Sequence, residues 1–265
     1  MTKIDKKRST HREVEVLDAL RQLGGSARNA NLADLLSVSE ETIRRTTKAL
    51  ARADLVRRVH GGAYLPDAEA TKGVFSRLGH RAGAKSRIAR TAAAMIPDGS
   101  CIFLDVGSTT AFVAQELRKH RNLTVVTNSL NAAQALTNHE SNRVFLAGGE
   151  LHNAEWGAFG PDTLKFIRGF RFDTAVLSVD GVDMRSGFLL VGPQEAAVAR
   201  VAVEQSDRVI VVADHHKFSQ KAPLVVCPPQ SVDYVVTDKP LTPAFVQKFS
   251  EWDVQALEPE RANAQ

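Results

Sequence analysis

Apolar residues in the first part of the chain recur at three- and four-residue steps, a spacing that predicts short amphipathic helices. The stripe of the first predicted helix, which ends at Gly24-Gly25, comprises Val16, Leu17, Leu20 and Leu23. A second short helix is predicted in NANLADLL, with Asn29 as its N-cap. Its apolar anchors are Leu32, Leu35 and Leu36. The link SVS then leads to a third helix, which makes three helices in close succession.

The third predicted helix is capped by Ser39 and has one apolar edge and one basic edge. The apolar edge holds Ile43, Thr46 or Thr47, and Leu50. The other edge offers hydroxyl and cationic groups, as a helix in a DNA major groove does. An arginine-rich segment with a glycine turn follows and would contact phosphate or the minor groove, so the pattern predicts a winged helix-turn-helix. The expected DNA-binding residues are Ser39, Thr42, Arg44, Arg45, Lys48, Arg57, Arg58 and His60.

Positive charge is concentrated in this part of the chain. Residues 1–66 contain 13 Lys and Arg against 8 Asp and Glu, a net charge of +5, whereas the remaining residues contain 21 against 22, a net charge of −1. A basic excess confined to one small domain is typical of nucleic-acid-binding proteins. The excess therefore favours DNA binding over the simpler interpretation of a solvated amphipathic helix.

From about residue 100 onward, short β-branched runs alternate with helical segments such as TAFVAQELRK and PQEAAVARVAVEQ. This alternation predicts a parallel sheet with helices on both faces. We therefore expect an α/β protein, with a winged helix-turn-helix domain at 1–65, a linker at 66–84 and an open, mainly parallel α/β domain at 85–258. The predicted strands are CIFL (101–104), LTVVT (123–127), RVFLA (143–147), TAVLS (174–178), RVIVVA (208–213), LVVC (224–227) and YVVT (234–237).

Polar residues follow five of these strands, at the edge of a parallel sheet where ligands bind. The segment after CIFL opens a helix, whose N-terminus suits an anion. Each segment alone is a weak signal because such residues are common in turns and caps, but five in succession predict a pocket for a phosphate and for sugar hydroxyls. The expected ligand-binding residues are Asp105, Gly107, Ser108, Thr109, Thr110, Thr127, Asn128, Ser129, Gly148, Gly149, Asp180, Gly181, Glu195, Asp214 and Lys217.

The chain resembles bacterial transcriptional regulators of the DeoR family (DeoR/GlpR type). The resemblance is carried by motifs in family order over roughly residues 12 to 240: Thr42-Ile43-Arg44-Arg45, Arg58-Val59-His60-Gly61-Gly62, Leu104-Asp105-Val106-Gly107-Ser108-Thr109-Thr110, Thr127-Asn128-Ser129, Gly148-Gly149, Asp180-Gly181, Glu195-Ala196 and Asp214 with Lys217-Phe218. It implies a sensor domain related to sugar-phosphate isomerases. It also implies a repressor of a carbohydrate or polyol catabolic operon, a homo-oligomer (dimer or tetramer) released from operator DNA by a phosphorylated sugar or polyol.

Four segments depart from the family pattern. Thr46 stands where the family usually has an acidic residue, and Ala84 stands where glutamate is common. The segment FLLVGPQ lacks the usual threonine-rich loop, and His215-His216 replaces His-Ser before Lys217. The last two departures lie on the presumed pocket rim, so they bear on which effector is bound.

Three other functions are compatible with parts of the sequence. Asp180-Gly181-Val182-Asp183 is similar to the acidic segment of ribose-5-phosphate isomerases, but no lysine or glycine run follows it, so we expect no catalytic residues and no turnover. A transcriptional activator with the same effector class, or a nucleoid-type protein indifferent to small ligands, would also bind DNA.

Composition adds little beyond these motifs. Cys101 and Cys227 lie in apolar runs and are expected to be buried free thiols. His215 and His216, at a predicted strand end, should point in different directions, and we expect neither a metal nor a cofactor. The chain has no signal peptide pattern and no apolar run long enough for a membrane span, so we expect a cytoplasmic protein.

Overall fold

A computed structural model of the protein describes residues 11–22, 26–53, 55–59, 61–64, 74–137 and 141–259. The chain divides into two compact units, with the boundary between His80 and Arg81. The segment predicted as a linker contains α4 (Val74–Gly79) and the beginning of α5 (Ala82–Ala94). Leu23, Gly24-Gly25 and His60 lie outside the described residues.

The first unit contains the three predicted helices and a small sheet. The helices are α1 (His11–Gln22), α2 (Asn29–Leu36) and α3 (Glu40–Arg52). The strands β1 (Ser26–Arg28), β2 (Arg57–Val59) and β3 (Gly62–Tyr64) form an antiparallel sheet in the order β1-β3-β2. The turn between α2 and α3 begins at Ser37, whose left-handed backbone (φ 52°) ends α2. This arrangement confirms the predicted winged helix-turn-helix.

Two details predicted for α2 are wrong. Arg28 takes the N-cap position, and Asn29 is instead the first residue of the helix, where its N–H donates to Gly61 O at 2.8 Å. Leu35 is 49% exposed, whereas Leu32 and Ala33 are buried. At about 100° per residue, Leu35 lies about 200° around the helix from Ala33, so it falls outside the face on which Leu32 and Ala33 are buried.

The second unit is built on a seven-stranded sheet in which every pairing is parallel. Its strand order is β15-β14-β12-β9-β4-β5-β6. The strands are β4 (Cys101–Leu104), β5 (Thr124–Thr127), β6 (Arg143–Leu146), β9 (Thr174–Ser178), β12 (Val209–Val212), β14 (Tyr234–Val236) and β15 (Gln255–Leu257). The open, mainly parallel α/β domain is therefore confirmed.

Helices cover both faces of this sheet, and each face has its own apolar core. One face packs against α5, α6 (Ser108–Leu117) and α7 (Leu130–Leu136) through residues such as Ile102 and Leu104. The other packs against α8 (Pro161–Arg168), α9 (Pro193–Glu204) and α10 (Pro243–Trp252) through residues such as Phe103 and Phe172. Alternate residues of each strand serve opposite faces, which is why the strands read as nearly continuous apolar runs.

Two small antiparallel sheets lie outside the parallel one. The hairpin β7 (Glu150–His152) and β8 (Gly157–Phe159) forms one, and β10 (Gly181–Asp183), β11 (Gly187–Leu190) and β13 (Leu224–Val225) form the other. The assignment of 224–227 to the parallel sheet was wrong: β13 pairs antiparallel with β11, and the prolines that flank it restrict its length. The seventh parallel strand is β15, which the apolar pattern did not reveal.

Candidate functional site

The strand order reverses between β4 and β9, so a crevice opens beyond the carboxyl ends of these two strands. The chain leaves β4 through Asp105, Val106 and Gly107 and enters α6 directly. It leaves β9 through Ser178, Val179 and Asp180. The predicted ligand-binding segments that follow β4 and β9 therefore meet at the position where open α/β sheets bind ligands.

Gly107 allows the β4–α6 turn to lie directly against the end of β9. The Ser178 hydroxyl donates to Val106 O at 3.2 Å, and a Cβ on Gly107 would lie 2.2 Å from Ser178 Oγ. A larger residue could not be accommodated here unless Ser178 moved. Packing within the protein thus favours glycine at this predicted ligand-binding position.

The first turn of α6 is suited to bind an anion. Ser108, Thr109 and Thr110 are buried, and no acidic side chain lies in this turn. The first N–H groups of a helix have no partner within the helix and lie at the positive end of its dipole. Thr110 Oγ1 donates to Gly107 O at 3.1 Å, which fixes the turn. Phosphate is one of the anions that helix N-termini commonly bind.

Asp105 is a buried carboxyl group in acidic surroundings. Its side chain accepts a hydrogen bond from Val106 N at 2.7 Å. Burial, followed by the charges of Glu195 and Glu155, raises its pKa well above the ordinary value of an aspartate, against the opposing effect of backbone donors at Val106 and Ser178. Asp105 and Glu195, both predicted to bind the ligand, thus lie within electrostatic range of each other.

Asp180, which was also predicted to bind the ligand, lies beside Lys217. Lys217 Nζ is 3.6 Å from Asp180 Oδ1, and Asp180 Oδ2 accepts from Val191 N at 3.0 Å. Asp180 therefore holds the positive charge of Lys217 at the end of β9. The structure brings these two predicted residues together.

In the segment after β5, the side chains of Thr127 and Ser129 bond to the backbone, and the side chain of Asn128 has one oxygen without a hydrogen-bond partner. Thr127 Oγ1 donates to Leu104 O at 2.5 Å, and Ser129 Oγ caps α7 by accepting from Ala132 N at 3.3 Å. Asn128 Nδ2 donates to Ala158 O at 3.2 Å, but its buried Oδ1 has no hydrogen-bond partner. The hydroxyls of Thr127 and Ser129 therefore hold the backbone, and Asn128 keeps an acceptor for another group.

Packing explains why residues 149 and 181 are glycines, whereas a Cβ on Gly148 would meet no atom within 4 Å. Gly149 (φ +146°) would place a Cβ 2.2 Å from Thr163 Oγ1, and Gly181 would place one 2.4 Å from Gln220 O. Gly148 O accepts from Thr163 Oγ1 at 2.6 Å. Direct contact of Gly148, Gly149 and Gly181 with a ligand stays a prediction.

A short 3₁₀ turn, His215–Lys217, connects Lys217 to a second polar cluster. Asp214 caps the turn by accepting from His216 N at 2.9 Å, and the Arg81 guanidinium lies 3.5 Å from the same carboxylate. The predicted divergence of the two histidines is wrong: in this turn the rings of His215 and His216 lie 3.8 Å apart between centroids. Asp214 is thus placed to stabilise the turn.

Asp238 was missed by the sequence reasoning. It follows β14, accepts from His215 N at 2.8 Å and from the His215 ring at 3.0 Å, and lies 3.6 Å from Arg87. Lys239 Nζ lies 3.1 Å from the other ring nitrogen of His215. Asp238 follows YVVT (234–237) directly, so extending the strand-end criterion to this strand would have found it. Among the described residues, no three His, Cys, Asp or Glu side chains are grouped to hold a metal ion.

The third helix of the first unit has the two faces that its sequence predicts. Ile43, Thr47 and Leu50 are buried, and Ser39 Oγ accepts from Thr42 N at 3.2 Å as the N-cap. Thr42 and Thr46 are half-buried at the edges of the two faces, and the Thr42 hydroxyl lies 2.9 Å from Ser39 Oγ. Thr42 was predicted to lie on the open face; its hydroxyl instead supports the cap.

The open face of α3 carries four exposed cations. Arg44 lies 4.0 Å from Glu40 and 3.8 Å from Glu41, which moderates its charge. Arg45 and Lys48 are exposed as predicted, and Arg52 extends this face. Arg52 was missed, although its seven-residue spacing from Arg45 places it on the same side of a helix. In the wing, Arg58 is exposed on β2, and Arg57 belongs to the same strand.

A winged helix with an exposed basic face and an α/β unit with a crevice at its topological switch point together define a DNA-binding regulator with a sensor domain. Residues 12–69 match a family model described as a DeoR-like helix-turn-helix domain, and residues 80–239 match one described as the DeoR C terminal sensor domain. The chain belongs to the DeoR family of transcriptional regulators.

Two relatives and one solved structure show the extent of the similarity. A protein named glycerol-3-phosphate regulon repressor from Escherichia coli (strain K12) is 36% identical over 94% of this chain and 98% of its own length. The transcriptional repressor AccR of Agrobacterium fabrum (strain C58 / ATCC 33970) is 35% identical over 78% of this chain and 81% of its own. Ribose 5 phosphate isomerase A from Neisseria gonorrhoeae is similar over 52% of this chain and 53% of its own, with a TM-score of 0.38 and 16% identity.

No helix among the described residues is long and apolar enough to cross a bilayer.

Proposed function

We propose that the protein represses a carbohydrate or polyol catabolic operon and leaves its operator when a phosphorylated sugar or polyol binds the second unit. The observation that carries this proposal is the first turn of α6, which places buried hydroxyls and the N–H groups of a helix start at the point where the strand order reverses. Lys217 would supply a positive charge at the end of the neighbouring strand. The name of the Escherichia coli relative makes glycerol 3-phosphate the first effector to test.

DNA binding would use the open face of α3. Arg45, Lys48 and Arg52 are exposed on this face, and Arg58 lies on the wing strand. One recognition helix reads only a few base pairs, so we expect two or more copies of the chain to bind a repeated or palindromic operator. The protein would therefore act as a homo-oligomer.

Coupling between the ligand and DNA requires that the ligand favour one arrangement of the protein over another. The turn His215–Lys217 is placed to communicate this difference, because it carries Lys217 at the site and is capped by Asp214. Asp214 also pairs with Arg81, the first residue after the unit boundary. A shift of Lys217 toward a phosphate would change the position of this cap and of the chain that leads to the first unit.

The proposal includes no catalytic activity. Asp183, the candidate base of an isomerase, accepts from Arg185 N at 3.0 Å and from Ser186 N at 2.9 Å in the turn between β10 and β11. These backbone donors lower its pKa, so it is held as a turn-stabilising carboxylate and not as a base poised for proton transfer.

A thermal-shift screen against pentose, hexose and polyol phosphates tests the effector class. We expect a phosphorylated compound to raise the melting temperature and its unphosphorylated form to have no effect, since ligand that binds only the folded state stabilises it. No shift with any phosphate ester, or an equal shift with the unphosphorylated form, would contradict the proposal.

A further inference from the structure

Asp105 and Asn128 are neighbours on one face of the sheet. Leu104 and Thr127 are paired in the parallel register, so the next residue of each strand lies side by side at the carboxyl edge. Phe103 and Val126, two residues earlier, both face the core that contains α9. Because side chains alternate along a strand, Asp105 and Asn128 extend on the α9 side of the crevice.

The charges that face Asp105 are negative. Glu195 approaches from the first turn of α9, and Glu155 approaches from the turn between β7 and β8. Within the described parts of the chain, no ion pair links Asp105 to a cation, and the nearby cation of the site, Lys217, pairs with Asp180. Asp105 is only 2% exposed. A carboxyl group that is buried beside two others and has no counterion favours its neutral form.

Asn128, independently of Asp105, has a buried oxygen that lacks a hydrogen-bond donor. Its side chain is completely buried, and its Nδ2 donates to Ala158 O, which orients the amide. Its Oδ1 accepts no hydrogen bond within the protein. A buried acceptor without a donor costs folding free energy, so this atom is suited to accept a hydrogen bond from a group that enters the crevice.

We propose that Asp105 is an uncharged carboxylic acid and that it forms, with Asn128, an acid–amide pair that binds a hydroxyl group of the phosphorylated ligand. The Asp105 O–H donates a hydrogen bond to the oxygen of this hydroxyl, and the hydroxyl donates a hydrogen bond to Asn128 Oδ1. The inference rests on the proposed function for the phosphate end of the ligand. It adds that the other end carries hydroxyls and no second negative charge.

If Asp105 and Asn128 bind a hydroxyl group in this way, the protein should distinguish between two ligands of almost identical shape. Glycerol 3-phosphate and 3-phosphoglycerate share the phosphate and the middle hydroxyl, and differ in a terminal CH₂OH against a carboxylate. The carboxylate would face Glu195 and Glu155 and would have no O–H group to donate a hydrogen bond to Asn128 Oδ1. We expect 3-phosphoglycerate to bind at least about tenfold more weakly, because like charges repel strongly in a poorly solvated site.

The protonation of Asp105 is tested without any ligand. Infrared spectroscopy of the full-length protein near neutral pH should show the carbonyl band of a protonated carboxyl group, and the band should be absent from Asp105→Asn. The same band in the wild-type protein should disappear as the pH is raised, a measurement that needs no variant. A wild-type spectrum without the band near neutral pH would overturn the proposal.

Calorimetry with the two ligands tests the pair itself. Asp105→Ala should weaken glycerol 3-phosphate binding by about tenfold, as expected for a lost buried hydrogen bond. Asp105→Asn should weaken it much less, since the amide retains an N–H donor. Asp207→Asn, which changes an exposed carboxylate before β12 at the opposite edge of the sheet, is the matched control.

Equal losses for Asp105→Asn and Asp105→Ala, or equal affinities of the wild-type protein for the two ligands, would overturn the acid–amide pair. If the wild-type protein bound no phosphate ester, the proposed function would fail, and the ligand part of this inference with it. The infrared result would still decide whether Asp105 carries a proton, so the two failures are distinguishable.

Discussion

The guanidinium of Arg81 lies 3.5 Å from the carboxylate of Asp214, the residue that caps the His215–Lys217 turn. Arg81 is the first residue of the second unit, and Lys217 pairs with Asp180 at the crevice. One short turn therefore links the candidate ligand site to the beginning of the sensor unit.

Arg81→Ala should separate ligand binding from DNA release. We expect the variant to bind glycerol 3-phosphate with nearly unchanged affinity by calorimetry, while the ligand no longer releases a duplex selected in vitro by the wild-type protein. Arg90→Ala, an exposed arginine on α5, is the control and should behave as wild type. Normal release from the Arg81 variant would contradict the role of this pair.

Ser108→Ala should weaken binding of the phosphorylated effector by about tenfold, because it removes one buried hydroxyl donor from the first turn of α6. DNA affinity without ligand should be unchanged. Thr91→Ala removes a hydroxyl from α5 that donates only to the preceding helical turn at 3.4 Å, and it serves as the control. An effector that binds Ser108→Ala as tightly as wild type would place the phosphate elsewhere.

Arg45→Ala should cost about 1–3 kcal/mol of specific DNA binding if Arg45 reads a guanine, with a smaller effect on random DNA. Arg44→Ala should cost less, since Arg44 shares its charge with Glu40 and Glu41. Fluorescence anisotropy with the selected duplex and a scrambled duplex measures both. Equal weakening on the two duplexes would make Arg45 a phosphate contact.

Gly107→Ala should destabilise the second unit and displace the start of α6, because its Cβ would lie 2.2 Å from Ser178 Oγ. Ser178→Ala removes this oxygen and should restore part of the lost stability, although Ser178 Cβ would still be 3.1 Å away. Urea unfolding of the two single variants and the double variant measures the coupling. If the stability losses of the two single variants simply added in the double variant, contact with Ser178 Oγ would not be the reason for glycine at position 107.

Stability should fall in acid through Asp238. Burial opposes its ionisation, but hydrogen bonds from His215 N and from the His215 ring, together with the charge of that ring, outweigh burial and lower the pKa of Asp238 below the ordinary value of 3.8. A depressed folded-state pKa contributes stability above the unfolded value, and this stability is lost as the pH falls through the folded value. Asp238→Asn should lack this acid-dependent loss in urea unfolding against pH; an identical pH profile would contradict the assignment.

The architecture of the second unit was largely predictable because buried parallel strands read as unbroken apolar runs. Six of the seven runs from residue 101 to 237 are strands of the parallel sheet. The pattern failed where strands are short or lie at an edge: β15 is mostly exposed, and β13 is a two-residue strand between prolines. Such strands lack the continuous burial that makes the others visible.

The candidate site was predictable in position but only partly in chemistry. Strand ends identified Asp105, Asp180 and Lys217, since the carboxyl edge of a parallel sheet follows from the apolar pattern. The roles of Thr127 and Ser129 as backbone supports depend on hydrogen bonds to residues distant in the chain or in a following helix. Glu155 lies near Asp105 because the β7–β8 hairpin packs against the segment that follows β5. This contact joins residues distant in the chain, so local sequence does not predict it.

The most direct test of the whole account is the affinity of the full-length protein for its selected duplex, measured by fluorescence anisotropy as glycerol 3-phosphate and other sugar and polyol phosphates are added. We expect one phosphorylated compound to release the DNA and its unphosphorylated form to leave the DNA bound. DNA binding that no phosphate ester changes, in a protein that binds the duplex specifically, would contradict it.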